Sequence, residues 1–310
     1  MDDLKIFAAP LQGYTEAPWR RAHSMVFGGV DRYFTPFVRV EKGAVRQRDL
    51  RDAVSPLDDG ADVVAQAIFS DVDELRIIVD ELSGRGVRRI DLNMGCPFPL
   101  QCRKGRGAAL VERPEIVASV ADYLRSVENV EFSIKMRLGY DRADAWRDVL
   151  PILNGVRLAH LTVHPRTARQ EYSGELHYGE FGRLLRGSAN PVVYNGDLCS
   201  IEDVMMVRDR YPDLAGVMLG RGLLSRSSLG LELRSGKVVP DDMVVDGLLR
   251  VHDEIFRYYK STLCGDSQIL MKMKPFWDYP QTLIGRKGWK PIHKATGLDR
   301  YLAAVDSLRR

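Results

Sequence analysis

Eight short β-rich runs, each followed by a polar or glycine-containing turn and a helix-like stretch, predict a (β/α)8 TIM barrel, a member of the α/β class. The runs are KIFAAP (5–10), RYFTPFV (32–38), VVAQAIF (63–69), RRIDLNM (88–94), EFSIKMRL (131–138), LAHLTVHP (158–165), PVVYNGD (191–197) and GVMLGRG (216–222). Their apolar continuity suits strands covered by helices on both faces rather than strands with one wet face. Spacing is the second observation: from Pro10 to Arg221 the units recur about every 30 residues, the size of a βαβ repeat. A doubly wound sheet is the structural rival, but the first strand lacks a GxGxxG turn.

The segments between strands read as helices. DVDELRIIVDELSGRG (71–86) has an acidic first turn and a glycine stop, and RPEIVASVADYLRSV (113–127) carries proline near its start. After LRSGKVVP (233–240) the alternation ends and amphipathic helical patterns take over, DDMVVDGLLRVHDEIFRYYKSTL among them. The expected division is therefore a catalytic barrel over 1–238 and a helical domain over 239–310. From Lys272 onward nine Lys or Arg face three Asp, an excess larger than the net charge of +3 for the whole chain. Phe276, Trp277, Tyr279, Trp289 and Tyr301 are interleaved with these cations. Such a mixture is what a nucleic-acid surface uses, and also what a solvated helical face over a few core aromatics would show.

The bulk numbers exclude several classes. With 310 residues, 45% hydrophobic and 28% charged, the chain has ordinary globular composition. No apolar run reaches the roughly 18 residues of a membrane helix. The opening MDDLKIFAAP has the wrong charge for a secretory leader, so a cytoplasmic protein is expected. Four cysteines in a chain this long make no disulfide framework, and Cys96 with Cys102 lacks the second Cys/His pair that zinc needs. No metal site is expected.

In a barrel of this kind chemistry collects where strands end. The polar residues there are Gln66, Asn93, Lys135 with Arg137, His164 with Arg166, Asn195 with Asp197, and Arg221. Glycines in NGD (195–197) and GRG (220–222) mark the turns after strands seven and eight, where barrels commonly bind phosphate through backbone N–H groups. Lys135, closing an apolar strand, needs an anion or a chemical role: a Schiff base, or charge stabilisation on a reduced cofactor. Cys96, in the stretch DLNMGCPFPLQCRKGRG (91–107), projects from a glycine–proline turn toward the same rim as a nucleophile or a proton donor. Cys102 reads as a bystander.

DLNMGCP, GRGAALVERPEIV, SIKMRLG, LTVHPRT, YNGD and VMLGRG, in this order and spacing, resemble the tRNA-dihydrouridine synthase family. The resemblance covers the barrel and, less sharply, the tail. It implies an FMN-binding (β/α)8 barrel with a C-terminal helical domain, NADPH as reductant, and tRNA as substrate and partner of what is expected to be a monomer. It further implies that Cys96 protonates uracil C5 and that Asn93 positions the base. Gln66, Lys135, Arg137 and His164 would surround the flavin, with Pro10, Leu11 and Gln12 along its ring. Asn195, Gly196, Asp197, Gly220 and Arg221 would hold ribityl and phosphate. Arg39, Tyr172, Lys272, Lys274 and Lys294, together with Arg137, would contact the RNA. The family usually has methionine where this chain has Leu11, a near-isosteric exchange, and FPLQCRK replaces the usual valine-containing loop after GCP. TPFVRV (35–40) and Tyr172 resemble the branch that modifies uridine 16.

The enzyme rival is a barrel flavin oxidoreductase acting on a small pyrimidine or an enone, which would not need the basic tail. A Schiff-base aldolase would hold no flavin. An RNA-binding module on a relic barrel would have no use for Cys96 and the polar rim.

Overall fold

The computed structural model describes residues 4–58 and 60–309, so Met1–Asp3 of the opening stretch and Arg310 of the basic tail lie outside the described residues. Eight parallel strands close into a barrel: β1 (Lys5–Ala8), β2 (Arg32–Phe34), β3 (Val63–Ala67), β4 (Arg89–Met94), β5 (Glu131–Gly139), β6 (Leu161–Thr167), β7 (Val192–Asn195) and β8 (Gly216–Leu219). Each starts inside a run expected to be a strand, but β5 runs one residue and β6 two residues past the expected ends, to Gly139 and Thr167. Closure is made by β1 on β8, in the register Lys5 to Gly216 through Ala8 to Leu219.

Helices alternate with the strands: α1 (Ala17–Val26), α2 (Gln47–Ala53), α3 (Val72–Gly84), α4 (Pro114–Ser126), α5 (Trp146–Asn154), α6 (Tyr178–Gly187), α7 (Ile201–Arg210) and α8 (Leu229–Ser235). Their starts follow local chemistry. Asp71 caps α3 by accepting from the Glu74 N–H, and Pro114 opens α4, where its missing N–H costs nothing. Ser200 and Asp203 form a reciprocal capping box on α7. After β8 every element is helical, with Gly236 in the left-handed region ending α8. There follow α9 (Asp241–Thr262), α10 (Asp266–Met273), α11 (Gln281–Lys294, broken at Gly285) and α12 (Leu298–Asp306).

One element departs from the expected pattern. A two-stranded hairpin, Val40–Glu41 against Ala44–Val45, sits in the loop after β2. Its strands are two residues long around Lys42 and Gly43, both at positive φ, too short to leave a periodic signal.

Strand register decides what faces what inside the barrel. Gln66 is paired with Asp91, Asp91 with Ser133, Asn93 with Lys135, Lys135 with Thr162, and Arg137 with His164. Successive strands thus deliver polar side chains to one half of the interior. The opposite half is apolar, filled by Phe7, Ala9, Phe34, Val64, Val193 and Met218. The helical region does not keep a separate core: Ile255, Tyr259, Met273, Trp277 and Tyr301 belong to the cluster that also contains Trp19 and Ala22 of α1. Trp277 and Tyr301, read above among candidate surface aromatics, are fully buried, and the Trp277 indole N–H donates to the Tyr301 hydroxyl at 2.9 Å.

Candidate active site

The C-terminal rim of the barrel surrounds a cavity of about 510 Å³, within the range of small-molecule and cofactor sites. Its lining contains Pro10, Leu11 and Gln12 from the β1 turn, Arg39, Gln66, Asn93, Cys96, Lys135, Arg137, His164 and Tyr172. Asn195, Gly196 and Asp197 after β7, with Gly220 and Arg221 after β8, complete it. Lys272, Lys274 and Lys294 are not part of this wall.

Charge at the site is dominated by cations held in partial burial. Burial, assisted by the neighbouring Arg137, lowers the Lys135 ammonium to about 8, while Asp91 opposes the fall. Arg137 is fixed by donating from Nε to the Gly95 carbonyl at 3.1 Å and from Nη1 to the Thr167 carbonyl at 2.8 Å. Arg166 and Arg221 both bind the carboxylate of Asp197, with Arg221 Nη2 at 2.8 Å from Oδ1. Those bonds, Arg166 foremost, hold Asp197 below the usual carboxylate range. Tyr172 is about half exposed and has two guanidinium groups against its ring, Arg221 at 4.5 Å and Arg137 at 5.5 Å from its centre.

His164 has its Nδ1 buried without a hydrogen-bond partner among the described residues. Burial first, then the surrounding cations, push its pKa well below the ordinary value, so the imidazole is neutral. Gly196 leaves room beside it: a Cβ there would come within 3.0 Å of His164 Cδ2. Gly222 allows a still closer approach, since a Cβ would fall 1.9 Å from the Leu198 carbonyl oxygen.

Cys96 lies at the cavity wall, and burial raises its thiol pKa despite Arg137 and Lys135. The side chain therefore carries its proton at neutral pH, which suits a proton donor better than a thiolate nucleophile. Asn93 Oδ1 accepts from the Cys96 N–H at 2.8 Å and from the Gly95 N–H at 3.1 Å. Cys102, read as a bystander, is buried and donates from Sγ to the Cys96 carbonyl at 3.3 Å.

Among the further residues that reach the cavity are Tyr14, Phe37, Phe98 and Gln101, none singled out from the sequence, and Tyr279, read there only as one of the tail aromatics. Tyr279 comes from the helical region and meets Tyr14 edge-on at 5.1 Å. Its place at the cavity could not be read locally, because the lining residues it joins lie more than 50 positions away in sequence. Asp91 was also passed over, although it alternates with Asn93 on one face of β4 and so had to point inward.

Two tail lysines differ from the expected free cations. Lys272 forms an ion pair with Glu16 and sits 5.6 Å from the Tyr259 ring centre. Lys274 donates to the Ala295 carbonyl at 3.2 Å. Both are spent on packing the helical region, Lys272 on a carboxylate 256 positions distant and Lys274 on a nearby backbone carbonyl. Lys294 is exposed. Burial alone would raise the Glu16 carboxyl, but Lys272 and Tyr259 outweigh it and hold the group below its ordinary range. A depressed carboxyl contributes stability that is complete above its unfolded pKa and is lost as pH falls through the folded one. Lys272→Gln is expected to cost about 1 kcal/mol at pH 7 and progressively less as pH falls through the depressed Glu16 pKa, read as urea midpoints along that pH range.

The sequence-family model described as dihydrouridine synthase (Dus) matches residues 7–290. A tRNA-dihydrouridine(16) synthase of Neisseria meningitidis serogroup B is 31% identical over 241 residues, covering 74% of this chain and 71% of that protein. The protein of the same name from Pseudomonas putida is 31% identical over 245 residues, covering 76% and 74%. Among solved structures, one described as a variant of NCR from Zymomonas mobilis superposes with a TM-score of 0.53 at 11% identity, over 76% of this chain and 88% of that one. That last likeness speaks to the barrel fold alone. With a match over most of its length and relatives at this identity, the chain belongs to the dihydrouridine synthase family.

Proposed function

We propose that this protein is a flavin-dependent tRNA-dihydrouridine synthase that reduces uridine 16 of tRNA to 5,6-dihydrouridine, with FMN as bound cofactor and NADPH as reductant. The observation that carries the reading is a protonated Cys96 thiol and a Lys135 ammonium facing one rim cavity in a chain of this family. The names of the two relatives at 31% identity support position 16.

The residues present fit FMN. His164 offers a buried Nδ1 with no partner among the described residues, and Lys135 offers a cation suited to the negative edge of a reduced flavin ring. Asn195, Gly196 and Gly220 supply the turns, and Arg221 the charge, for ribityl and phosphate groups. Bound there, FMN would supply the hydride-transfer chemistry between NADPH and uracil C6.

The chain's own residues do the rest. Cys96 gives its proton to uracil C5, and its thiolate recovers a proton from solvent, so the net reaction consumes one NADPH and one proton per uridine. Arg137 and Lys135 ease that transfer by favouring the thiolate that Cys96 becomes. Asn93 has both oxygen lone pairs engaged, leaving one amide hydrogen to meet the base. Because C5 and C6 are covered in a stacked base, the nucleotide must be splayed into the cavity, where Tyr172 and Arg39 stand at the wall.

We assign residues 239–310 to RNA binding, with α11 as the principal contact. Arg286, Lys290 and Lys294 recur at four-residue spacing and are all exposed, which puts them on one helix face. Among the described residues, the Lys and Arg of this region that form ion pairs are Arg257, Lys272 and Arg309. The helix begins two residues after Tyr279, which lines the cavity, so its start lies near the mouth.

Two outcomes check this reading. Cys96→Ala is expected to retain bound flavin and NADPH oxidation while dihydrouridine formation drops by roughly 10²–10⁴-fold, measured on unmodified tRNA; equal loss from Cys102→Ala would move the donor role. Arg286→Glu with Lys290→Glu and Lys294→Glu is expected to weaken tRNA binding and to flatten the log–log salt slope by roughly 0.7–0.9 per lost phosphate contact, with the flavin spectrum unchanged. Unaltered affinity and slope would point to the small-molecule flavoenzyme.

A further inference from the structure

The barrel interior holds a hydrogen-bonded chain whose direction is set at its buried end. Asp91 is fully buried on β4. Its Oδ2 accepts from Gln66 Nε2 at 2.7 Å and its Oδ1 from Ser133 Oγ at 2.6 Å. One link higher, Gln66 Oε1 accepts from Asn93 Nδ2 at 2.8 Å. Asn93 Oδ1 is then left to receive the Gly95 and Cys96 backbone N–H groups.

A carboxylate only accepts hydrogen bonds, whereas an amide side chain can be turned either way. Asp91 therefore dictates that Gln66 directs its NH2 inward and its oxygen toward Asn93. Gln66 dictates the same of Asn93. With the chain reversed, Asn93 would present an NH2 group to two N–H donors, and both backbone groups would lose their acceptor in a largely dry interior.

We propose that Asp91 is a positioning residue for the proton donor: it sets the polarity of the Asp91–Gln66–Asn93 chain and thereby pins the backbone at Cys96. The proposal rests on the reading above only for the chemistry that Cys96 performs. The Cys96 end has other supports, since the Ala108 N–H donates to the Cys96 carbonyl at 3.1 Å and Gly107 packs so closely that a Cβ would lie 2.7 Å from that oxygen. Those contacts hold the carbonyl side of the residue; the N–H side depends on Asn93.

The test is the rate at which iodoacetamide alkylates Cys96 in the protein as purified, followed on the Cys96 peptide by mass spectrometry so that Cys102, Cys199 and Cys264 do not contribute. Charged and titratable groups acting on this thiol from neighbouring elements are Lys135 and Arg137 on β5, with Cys102 in the following turn. Asp91→Asn is nearly isosteric and is expected to speed alkylation about tenfold as the loop loosens. Through Lys135, which interacts with both Asp91 and the thiol, loss of charge predicts the opposite sign. Without Asp91 the Lys135 ammonium is less favoured, so less cation stands near the thiol and thiolate formation slows.

Adding Gln66→Glu to Asp91→Asn moves the carboxylate one link up the chain. It accepts from the amides on both sides, Asn93 keeps its orientation, and alkylation is expected to return to the unsubstituted rate. Unchanged or slower alkylation in Asp91→Asn, or no recovery in the double variant, overturns the proposal. Should Asp91→Asn not fold, Gln66→Met breaks the same chain one link higher and must show the same acceleration; a parental rate there overturns it as well. Parent protein that makes no dihydrouridine would sink the proposed function and leave this alkylation contrast standing.

Discussion

Three cationic side chains, Lys135 and Arg137 on β5 and Arg221 after β8, line one cavity at the barrel rim, with Arg166 on β6 joined to it through Asp197, and much of the site follows from keeping them there. Together with burial they hold His164 neutral. Asp197 keeps its charge because Arg166 and Arg221 both bind it. Arg137 and Lys135 also bias the Cys96 thiol toward releasing its proton without overcoming the burial that retains it. Partly desolvated positive charge of this density favours an anionic occupant. The two wide-set cations Arg137 and Arg221 are bridged meanwhile by the face of Tyr172.

The helical region is tied to this centre through the β1 turn. Pro10, Leu11 and Gln12 line the cavity, and four to six residues further on Glu16 binds Lys272 and accepts from the Tyr259 hydroxyl at 2.9 Å. Tyr14, between them, donates to Asp278 at 3.1 Å. Behind the turn, fully buried Arg20 donates to the Thr15 carbonyl at 2.9 Å and binds Asp52 and Asp58, fixing α1 against α2. Removing a partner from a buried pair of this kind costs about 3–5 kcal/mol, so the segment is stiff. An RNA gripped by α11 would be registered against the cavity through this same short stretch of chain.

Much of this was legible in the sequence because strands buried on both faces leave unbroken apolar runs, and the polar residue that ends each run is conspicuous. That is why Gln66, Lys135, His164, Asn195 and Arg221 could be read as one rim before any coordinates. Partnership over long sequence separations was not legible. The Lys272 charge was visible, but not Glu16 beside it, and Trp277 looked like a surface aromatic until its hydroxyl partner Tyr301 was placed. Asp91 stood in plain sight within DLNMGCP, yet its role depends on register with Gln66, which only the closed barrel supplies.

The claim at the centre is that the cationic cavity is built for a flavin carrying a phosphate. Titrating flavin-stripped protein with FMN and with riboflavin, at low and high salt, tests it most directly. Charge-assisted contacts to a phosphate should make FMN at least about a hundredfold tighter, with the gap narrowing as salt rises. Equal affinity for the two flavins at low salt would contradict the account.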